Sequence, residues 1–264
     1  MLGAVWGIKV HHRTVEQLAS GNSVIHRLDA RVKLLMTLVF VLLCAVIPGW
    51  PLVRFVPLLL LVLLGIAMAR LPWLFVLRRV LVVFPFVGVL AVFLPFTKGT
   101  TLLWHWDWAG ISIYQQGLEM AAGILTKGAI AILAVSWLVF TTPFGRLLLA
   151  MRWFGAPRIV VAVLGFLFRY LDLMADESMR VRRARRARSP RRINRWASRS
   201  TGGMVGRLLL RTLDRAERVH AAMVSRGYDG EVRVLVPLRF ARLDLAFGVP
   251  ALLVLVGAGI FGFS

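Results

Sequence analysis

The chain has 264 residues, of which 59% are apolar, and its formal net charge at pH 7 is +21. With a mean hydropathy of +0.76, this composition excludes an ordinary soluble domain and predicts an integral membrane protein. In a soluble protein such a charge would suggest nucleic-acid binding, but here the arginines lie between or after apolar spans, where they set membrane topology. The single cysteine, Cys44, excludes a disulfide framework and a cysteine-based metal site within one chain.

The N-terminal segment, residues 1–31, has no continuous apolar core followed by a small-residue cleavage site. We therefore expect no cleaved signal peptide. Asp29 occupies the position of a helix N-cap just before the first apolar span. Arg31 and Lys33 follow it and predict a cytoplasmic anchor at the start of that helix.

Five apolar segments are long enough, or nearly so, to cross a bilayer as helices. They are residues 32–47, 52–69, 74–94, 113–140 and 245–263, and Pro48, Pro51, Pro72 and Pro95 fall at or near their boundaries. In the fourth span, Lys127 and Glu119 are ionisable groups at membrane depth, which we interpret as a snorkelling or inter-helix pair.

The distribution of Lys and Arg places the N-terminus in the cytoplasm and the C-terminus outside. Loop 96–112 then faces outward, and its Trp104, Trp106 and Trp108 predict an interfacial aromatic belt. A sixth apolar stretch, residues 159–173, has arginines on both flanks, which favours a short helix in the membrane interface over a full crossing.

The arginine-rich segment that follows predicts two long helices, residues 170–188 and 204–226, joined by a connector with the sequence RRINRWASRSTGG. In the second helix, apolar residues recur every three or four positions from Val205 to Met223, with arginines on the other side. We expect this apolar stripe to pack between the two helices or against a partner. Ser189-Pro190 ends the first helix and Gly227 ends the second, so each tip carries an arginine.

No pattern of catalytic residues is present in the sequence. It contains no GxxxxGK[ST], HExxH, GxSxG or CxxC arrangement, which predicts a non-enzymatic chain whose energy source comes from another protein. His11, His12, His26 and His105 lack the spacing of a chelating pair, and the predicted topology divides them between membrane faces. We therefore expect no metal site and no cofactor in this chain.

Two tripeptides at the predicted helix tips carry a family resemblance. Ala187-Arg188-Ser189 and Ser225-Arg226-Gly227 resemble the two Ala-Arg-Gly motifs of the transmembrane T component of energy-coupling factor transporters. The segment IHRLDARVKLL resembles that family's opening, which has Asp-Pro-Arg before the first membrane helix. The segments FRYLDLMADESMRVRRARRAR and RAERVHAAMVSRGYDGE resemble its cobalt-type branch, called CbiQ. Ser189, Ser225 and Ala30 depart from the family pattern, and Arg185 is an alternative to Arg188 for the first motif.

The resemblance implies a subunit that couples two cytoplasmic ABC ATPase subunits to a membrane substrate-binding subunit, without catalysis of its own. It implies that Arg188 and Arg226 each enter a groove on one ATPase subunit, while any captured metal belongs to the substrate-binding subunit. The implied substrate is cobalt, with nickel or a vitamin as alternatives. The implied location is the inner membrane of a bacterial or archaeal cell, where the lipid bilayer is a further partner and nucleic acid is not.

The expected fold is all-α and polytopic. It consists of a cytoplasmic segment (1–31), four transmembrane helices (32–140), a cytoplasmic or interfacial coupling domain with two arginine-tipped helices (141–243), and a C-terminal transmembrane helix (244–264). Two rival classes remain open. One is a membrane enzyme acting on a lipid or anionic substrate, for which a base or nucleophile is missing. The other is a membrane protein that binds RNA or anionic lipid through its arginine-rich segment.

Overall fold

A computed structural model of the chain describes residues 19, 21, 23–97, 101–106, 111–188, 196–230 and 242–263. In chain order the helices are α1 (Val24–Arg27), α2 (Ala30–Val46), α3 (Val56–Met68), α4 (Trp73–Thr97), α5 (Gln115–Thr141), α6 (Phe144–Trp153), α7 (Arg158–Arg188), α8 (Trp196–Val224) and α9 (Arg242–Phe263). A 3-10 turn (Leu52–Phe55) precedes α3, and strands β1 (Leu102–Trp106) and β2 (Ile111–Tyr114) lie between α4 and α5.

The chain divides into two compact units. The bundle unit comprises Thr14–Ala150 and Leu238–Ser264, and the arginine-rich unit comprises Met1–Arg13 and Met151–Pro237. In the bundle unit, α5 packs against α2, α3 and α4, and α9 packs against α2 and α3. The core between these helices is apolar and includes Phe40, Leu58, Ile66, Ile130 and Leu255.

The outer faces of the bundle helices are as apolar as its core. On α2 and α3 the exposed apolar side chains recur at three- and four-residue intervals, so each helix presents one continuous apolar face to its surroundings. We call these residues the lipid-facing surface: Leu35, Leu38, Leu42, Val46, Val56, Leu60, Leu64 and Met68. Exposure of such a surface is unfavourable in water and favourable in hydrocarbon, so the outer face of the bundle suits the interior of a bilayer.

The five predicted spans correspond to helices, although their lengths differ. Among the described residues, Trp73–Pro95 and Gln115–Thr141 are long and apolar enough to cross a membrane, and Leu52–Met68 is a shorter apolar helix. The first predicted span is the 17-residue α2, and the last lies within α9. The number of crossings therefore stays a prediction.

The expected all-α class is confirmed, and one short two-stranded hairpin is the exception among the described residues. Strands β1 and β2 form an antiparallel hairpin in which Trp106 pairs with Ile111 and Leu102 with Tyr114. Residue Ile113, expected to begin the fourth span, is therefore extended, because Ile111, Ile113 and Tyr114 are β-branched or aromatic residues that favour strands. Trp108, the third member of the predicted aromatic belt, lies outside the described residues.

In the arginine-rich unit, the predicted interfacial helix at residues 159–173 is not a separate element. It is the first half of α7, which continues for 31 residues to Arg188. Near Asp172 the residues of α7 change from mostly apolar to mostly charged, so its two halves suit different environments. The helix nevertheless continues, because no proline between residues 158 and 188 breaks its backbone. Similarly, α8 begins at Trp196, so half of the predicted connector is helical. The sequence pattern also missed α6.

Candidate functional site

The second arginine motif lies at the capped end of α8. Gly227 has a φ of +82°, its amide donates to the carbonyl of Val224 at 2.9 Å, and the Tyr228 amide donates to the carbonyl of Met223 at 3.0 Å. These two hydrogen bonds and the left-handed glycine form a Schellman motif, in which Arg226 is the C-cap residue, two positions beyond the last helical residue Val224. The predicted helix end at Gly227 is confirmed.

The three residues of this motif are exposed in the chain. The hydroxyl of Ser225 donates to the carbonyl of Ala222 at 3.0 Å, within its own helix, and Arg226 extends from a backbone held by the motif. A guanidinium has five N–H donors in a planar fork, which suits it to carboxylates and carbonyls of another protein. The site can therefore bind and position a partner, and it offers no group for chemistry.

The first motif lies at the end of α7. The helix reaches Arg188, and Ala187 is exposed one residue before that end. The side chains of Arg185 and Arg188, and the whole of Ser189, lie outside the described part of the chain. The choice between Arg188 and Arg185 therefore stays a prediction.

An ion pair joins the two long helices of the arginine-rich unit. Nη1 of Arg211 on α8 donates to Oε1 of Glu177 on α7 at 2.7 Å. The side chains are 65% and 28% exposed, so solvent screens the pair and its contribution to stability is modest. The second Glu177 oxygen lies 4.0 Å from Arg180.

The apolar stripe of α8 is uncovered over much of its length. Val205, Leu209 and Leu213 are 57%, 59% and 52% exposed, although they recur at the spacing of one helix face. Packing between the two long helices, one of the two roles expected of the stripe, is therefore wrong for these three residues. The other role, contact with a partner, stays a prediction.

A buried polar cluster in the bundle unit was not predicted from the sequence. Lys33 is 1% exposed, and its Nζ donates to the carbonyl of Thr141 at the end of α5 at 2.9 Å. The backbone amide of Asp29 donates to Oδ1 of Asp244 on α9 at 2.6 Å, while Oδ1 of Asp29 accepts from the Arg31 amide. Asp29 is thus the N-cap that the sequence predicted, but Lys33 is an internal link between helices and not a surface anchor.

Lys127 has a related role in the same unit. Its Nζ donates to the carbonyl of Ala45 at 3.0 Å, which links α5 to α2, and it lies 6.0 Å from the ring centre of Phe55. Glu119 instead accepts a hydrogen bond from Gln115. The inter-helix contact expected of Lys127 therefore exists, but Lys127 makes it with the carbonyl of Ala45 and not with Glu119. Among the described residues, no three His, Cys, Asp or Glu side chains come together in a group that could hold a metal.

Similarity to known proteins identifies the class of transporter to which the chain belongs. The chain is 27% identical over 259 residues to the energy-coupling factor transporter transmembrane protein EcfT of Ruminiclostridium cellulolyticum, covering 88% of this chain and 90% of that protein. It is 28% identical over 253 residues to the EcfT of Lactobacillus helveticus, covering 86% and 87%. The chain is a transmembrane component of this transporter class.

A match to a family model also identifies the family within this class. The family model described as CbiQ, cobalt transport protein, matches residues 21–238, and the chain belongs to this family. A relative named cobalt transport protein CbiQ, from Rhodobacter capsulatus, is 31% identical over 126 residues, which are 48% of this chain. That match spans about half of the relative, 52% of its length. Subunits of this family are membrane proteins without catalytic activity, as the sequence predicted.

Proposed function

We propose that this transmembrane component transmits ATP-driven motion from two cytoplasmic ATPase subunits to a membrane substrate-binding subunit in a cobalt importer. The observation that supports the role most directly is Arg226, exposed at the Schellman-capped tip of α8. An arginine held by rigid helical backbone can transmit a displacement, whereas one on a flexible loop would absorb it. Arg188, at the end of α7, is the proposed counterpart, with Arg185 as the alternative.

Cobalt is the proposed cargo because the matching family model and the Rhodobacter relative are both described as cobalt transport proteins. Nickel and a vitamin remain the alternatives, because the EcfT names do not specify a cargo. Uptake of labelled cobalt, nickel and cobalamin by cells that express the complete transporter tests this assignment. Cobalt uptake that depends on this subunit is expected, and uptake of another cargo alone would overturn it.

The coupling role is tested by co-purification with the ATPase subunits in detergent at moderate salt, followed by an assay of ATP hydrolysis. The Arg188→Glu, Arg226→Glu double variant is expected to insert normally but to lose the ATPase subunits. Arg218→Glu is the matched control, because Arg218 is equally exposed on α8 but lies well before its tip. If the double variant retains the ATPases as the control does, the two tips are not the coupling sites.

We also propose that the N-terminus and the arginine-rich segment, residues 141–243, lie in or against the cytoplasm, with the β1–β2 hairpin outside. The only cysteine, Cys44, is buried, which gives a low background for cysteine labelling. Arg70→Cys and Thr101→Cys place a thiol at exposed positions before α4 and before β1. An impermeant maleimide added to intact cells is expected to label the second and not the first.

A further inference from the structure

The bundle unit contains an apolar cavity that the coupling role does not use. Its volume is ≈ 180 Å³, and its walls come from α1, α2, α3, α5 and α9. An engineered cavity of about 150 Å³ in another protein stays dry and binds benzene, so this cavity can hold about six carbons of a hydrocarbon chain. A hydrocarbon chain in a space of this size gains dispersion contacts along its lining.

The walls exclude a polar occupant. Of the described lining residues, Thr37 and Trp137 carry the polar side-chain atoms, and both are satisfied within the protein. The Thr37 hydroxyl donates to the carbonyl of Lys33 at 2.8 Å, and Nε1 of Trp137 donates to the carbonyl of Gly65 at 3.1 Å. The surface offered to a ligand is therefore hydrocarbon, which rules out a metal ion or a polar vitamin at this place.

The cavity is continuous with the lipid-facing surface. Leu64 and Met68 both line it, yet they are 52% and 42% exposed on the outer face of α3. A chain that enters between their side chains would pass from the bilayer into the cavity without leaving an apolar environment. The hydrocarbon that surrounds the protein in a membrane is lipid acyl chain, so an acyl chain is the ligand that can enter the cavity by this route.

Exposed positive charge lies beside the same part of the cavity wall. Arg27 stands between the lining residues Ile25 and Leu28, and Arg70 is two residues beyond the lining residue Met68. Because α1 packs against α3, both exposed arginines belong to the same end of the bundle. Arg70 follows the last turn of α3 with a φ of 53°, and its amide donates to the carbonyl of Ala67, which fixes its position.

We propose that this cavity binds one acyl chain of an anionic phospholipid whose headgroup lies against Arg27 and Arg70. Hydrocarbon walls select the chain, and the two arginines select the negative headgroup. The site would hold a structural lipid at the junction of α1, α2 and α3. It does not depend on the identity of the transported substrate.

Native mass spectrometry of the full-length protein, titrated with phosphatidylglycerol or phosphatidylcholine of the same acyl chains, tests the proposal. The wild type is expected to retain phosphatidylglycerol preferentially. Ala134→Leu and Ala251→Leu fill the cavity from opposite walls and are expected to lower retention at least tenfold. Ala45→Leu, a substitution of the same size on the exposed side of α2 and more than one turn beyond the lining residue Phe40, is the matched control and should retain the lipid.

The headgroup is tested by the Arg27→Gln, Arg70→Gln double variant. Each arginine near a membrane surface changes affinity about fivefold, so the preference for phosphatidylglycerol should fall about 25-fold. Arg78→Gln removes another exposed arginine, near the start of α4, and should change the preference less than about twofold. Equal retention of the two lipids by the wild type would overturn the proposal. So would an effect of Arg78→Gln as large as that of the double variant.

The cavity-filling variants are first compared with the wild type in thermal unfolding, since overpacking can prevent folding. If both cavity-filling variants fail to fold, the Arg27→Gln, Arg70→Gln double variant tests the proposal instead. Arg27 and Arg70 are exposed, so their replacement leaves the core intact. Unchanged lipid retention by either folded cavity-filling variant would mean that the chain binds elsewhere, and the proposal would fall.

Discussion

Lys33 gives the sharpest test of how the bundle unit is held together. It is one of the largest fully buried side chains among the described residues, and its ammonium group donates a hydrogen bond to the carbonyl of Thr141, 108 residues away in sequence. The same ammonium interacts electrostatically with Asp29 and Asp244, and it is opposed by Arg146. Lys33→Met keeps most of the hydrocarbon stem and removes both the charge and the donor.

The expected loss of stability follows from two effects. The Thr141 carbonyl loses its Lys33 donor, and Asp29 and Asp244 lose the electrostatic attraction of the Lys33 ammonium. Leaving a buried carbonyl without its donor costs about 1–3 kcal/mol, and the lost attraction to Asp29 and Asp244 places this case near 3 kcal/mol. An Asp244→Asn substitution added to Lys33→Met should recover part of that loss, because it removes a negative charge that the Lys33 ammonium attracts in the wild type.

Lys127→Met is the matched control for this experiment. Lys127 also donates to a carbonyl of another helix, at 3.0 Å, but that hydrogen bond is exposed. Its loss should lower the free energy of unfolding by about 1 kcal/mol, because Lys127 is only partly buried and its contact lies at the end of α2.

The assay is equilibrium unfolding of the full chain in mixed micelles, followed by circular dichroism. Equal losses in the two lysine variants would show that burial of the Lys33 ammonium contributes nothing, and the reasoning from burial would be refuted. An additive effect of Asp244→Asn on Lys33→Met would likewise exclude electrostatic coupling within the cluster.

Four backbone positions give further predictions about stability, and the two glycines of the bundle, Gly123 and Gly88, are measured by the same unfolding assay. Gly123→Ala places a Cβ 2.8 Å from the Cα and carbonyl oxygen of Gly49 and should destabilise the bundle by about 1–3 kcal/mol. Gly88→Ala, with nothing within 4 Å of the new Cβ, should stabilise it by about 0.5–1 kcal/mol, and similar losses in both variants would contradict the packing argument. Gly227→Ala, at a φ of +82°, should fray the last turn of α8 at a cost of about 1 kcal/mol, seen as faster amide exchange there. Arg70→Gly, at a φ of 53°, should instead stabilise by about 0.5–1 kcal/mol, and a lower melting temperature would refute the assigned strain.

The family could be inferred from sequence because its strongest signals are local. Asp29 caps α2 and Gly227 ends α8 as predicted, since a cap depends on residues within one turn of the helix. The segment from residue 159 to 188 was divided wrongly, because a change in polarity resembles a boundary although nothing interrupts the backbone hydrogen bonds. The β1–β2 hairpin was missed because its strands are short and lie between long apolar helices.

What the sequence determined by itself is therefore the class of environment and the local course of the chain. Hydrophobic spans, arginine-rich helices and helix ends are set by residues close together in sequence. The tertiary structure alone decided that Lys33 is buried against Thr141 and that the amide of Asp29 meets Asp244, 215 residues away. It also decided that an apolar cavity opens among five helices, because such contacts depend on how helices pack and not on spacing within any one of them.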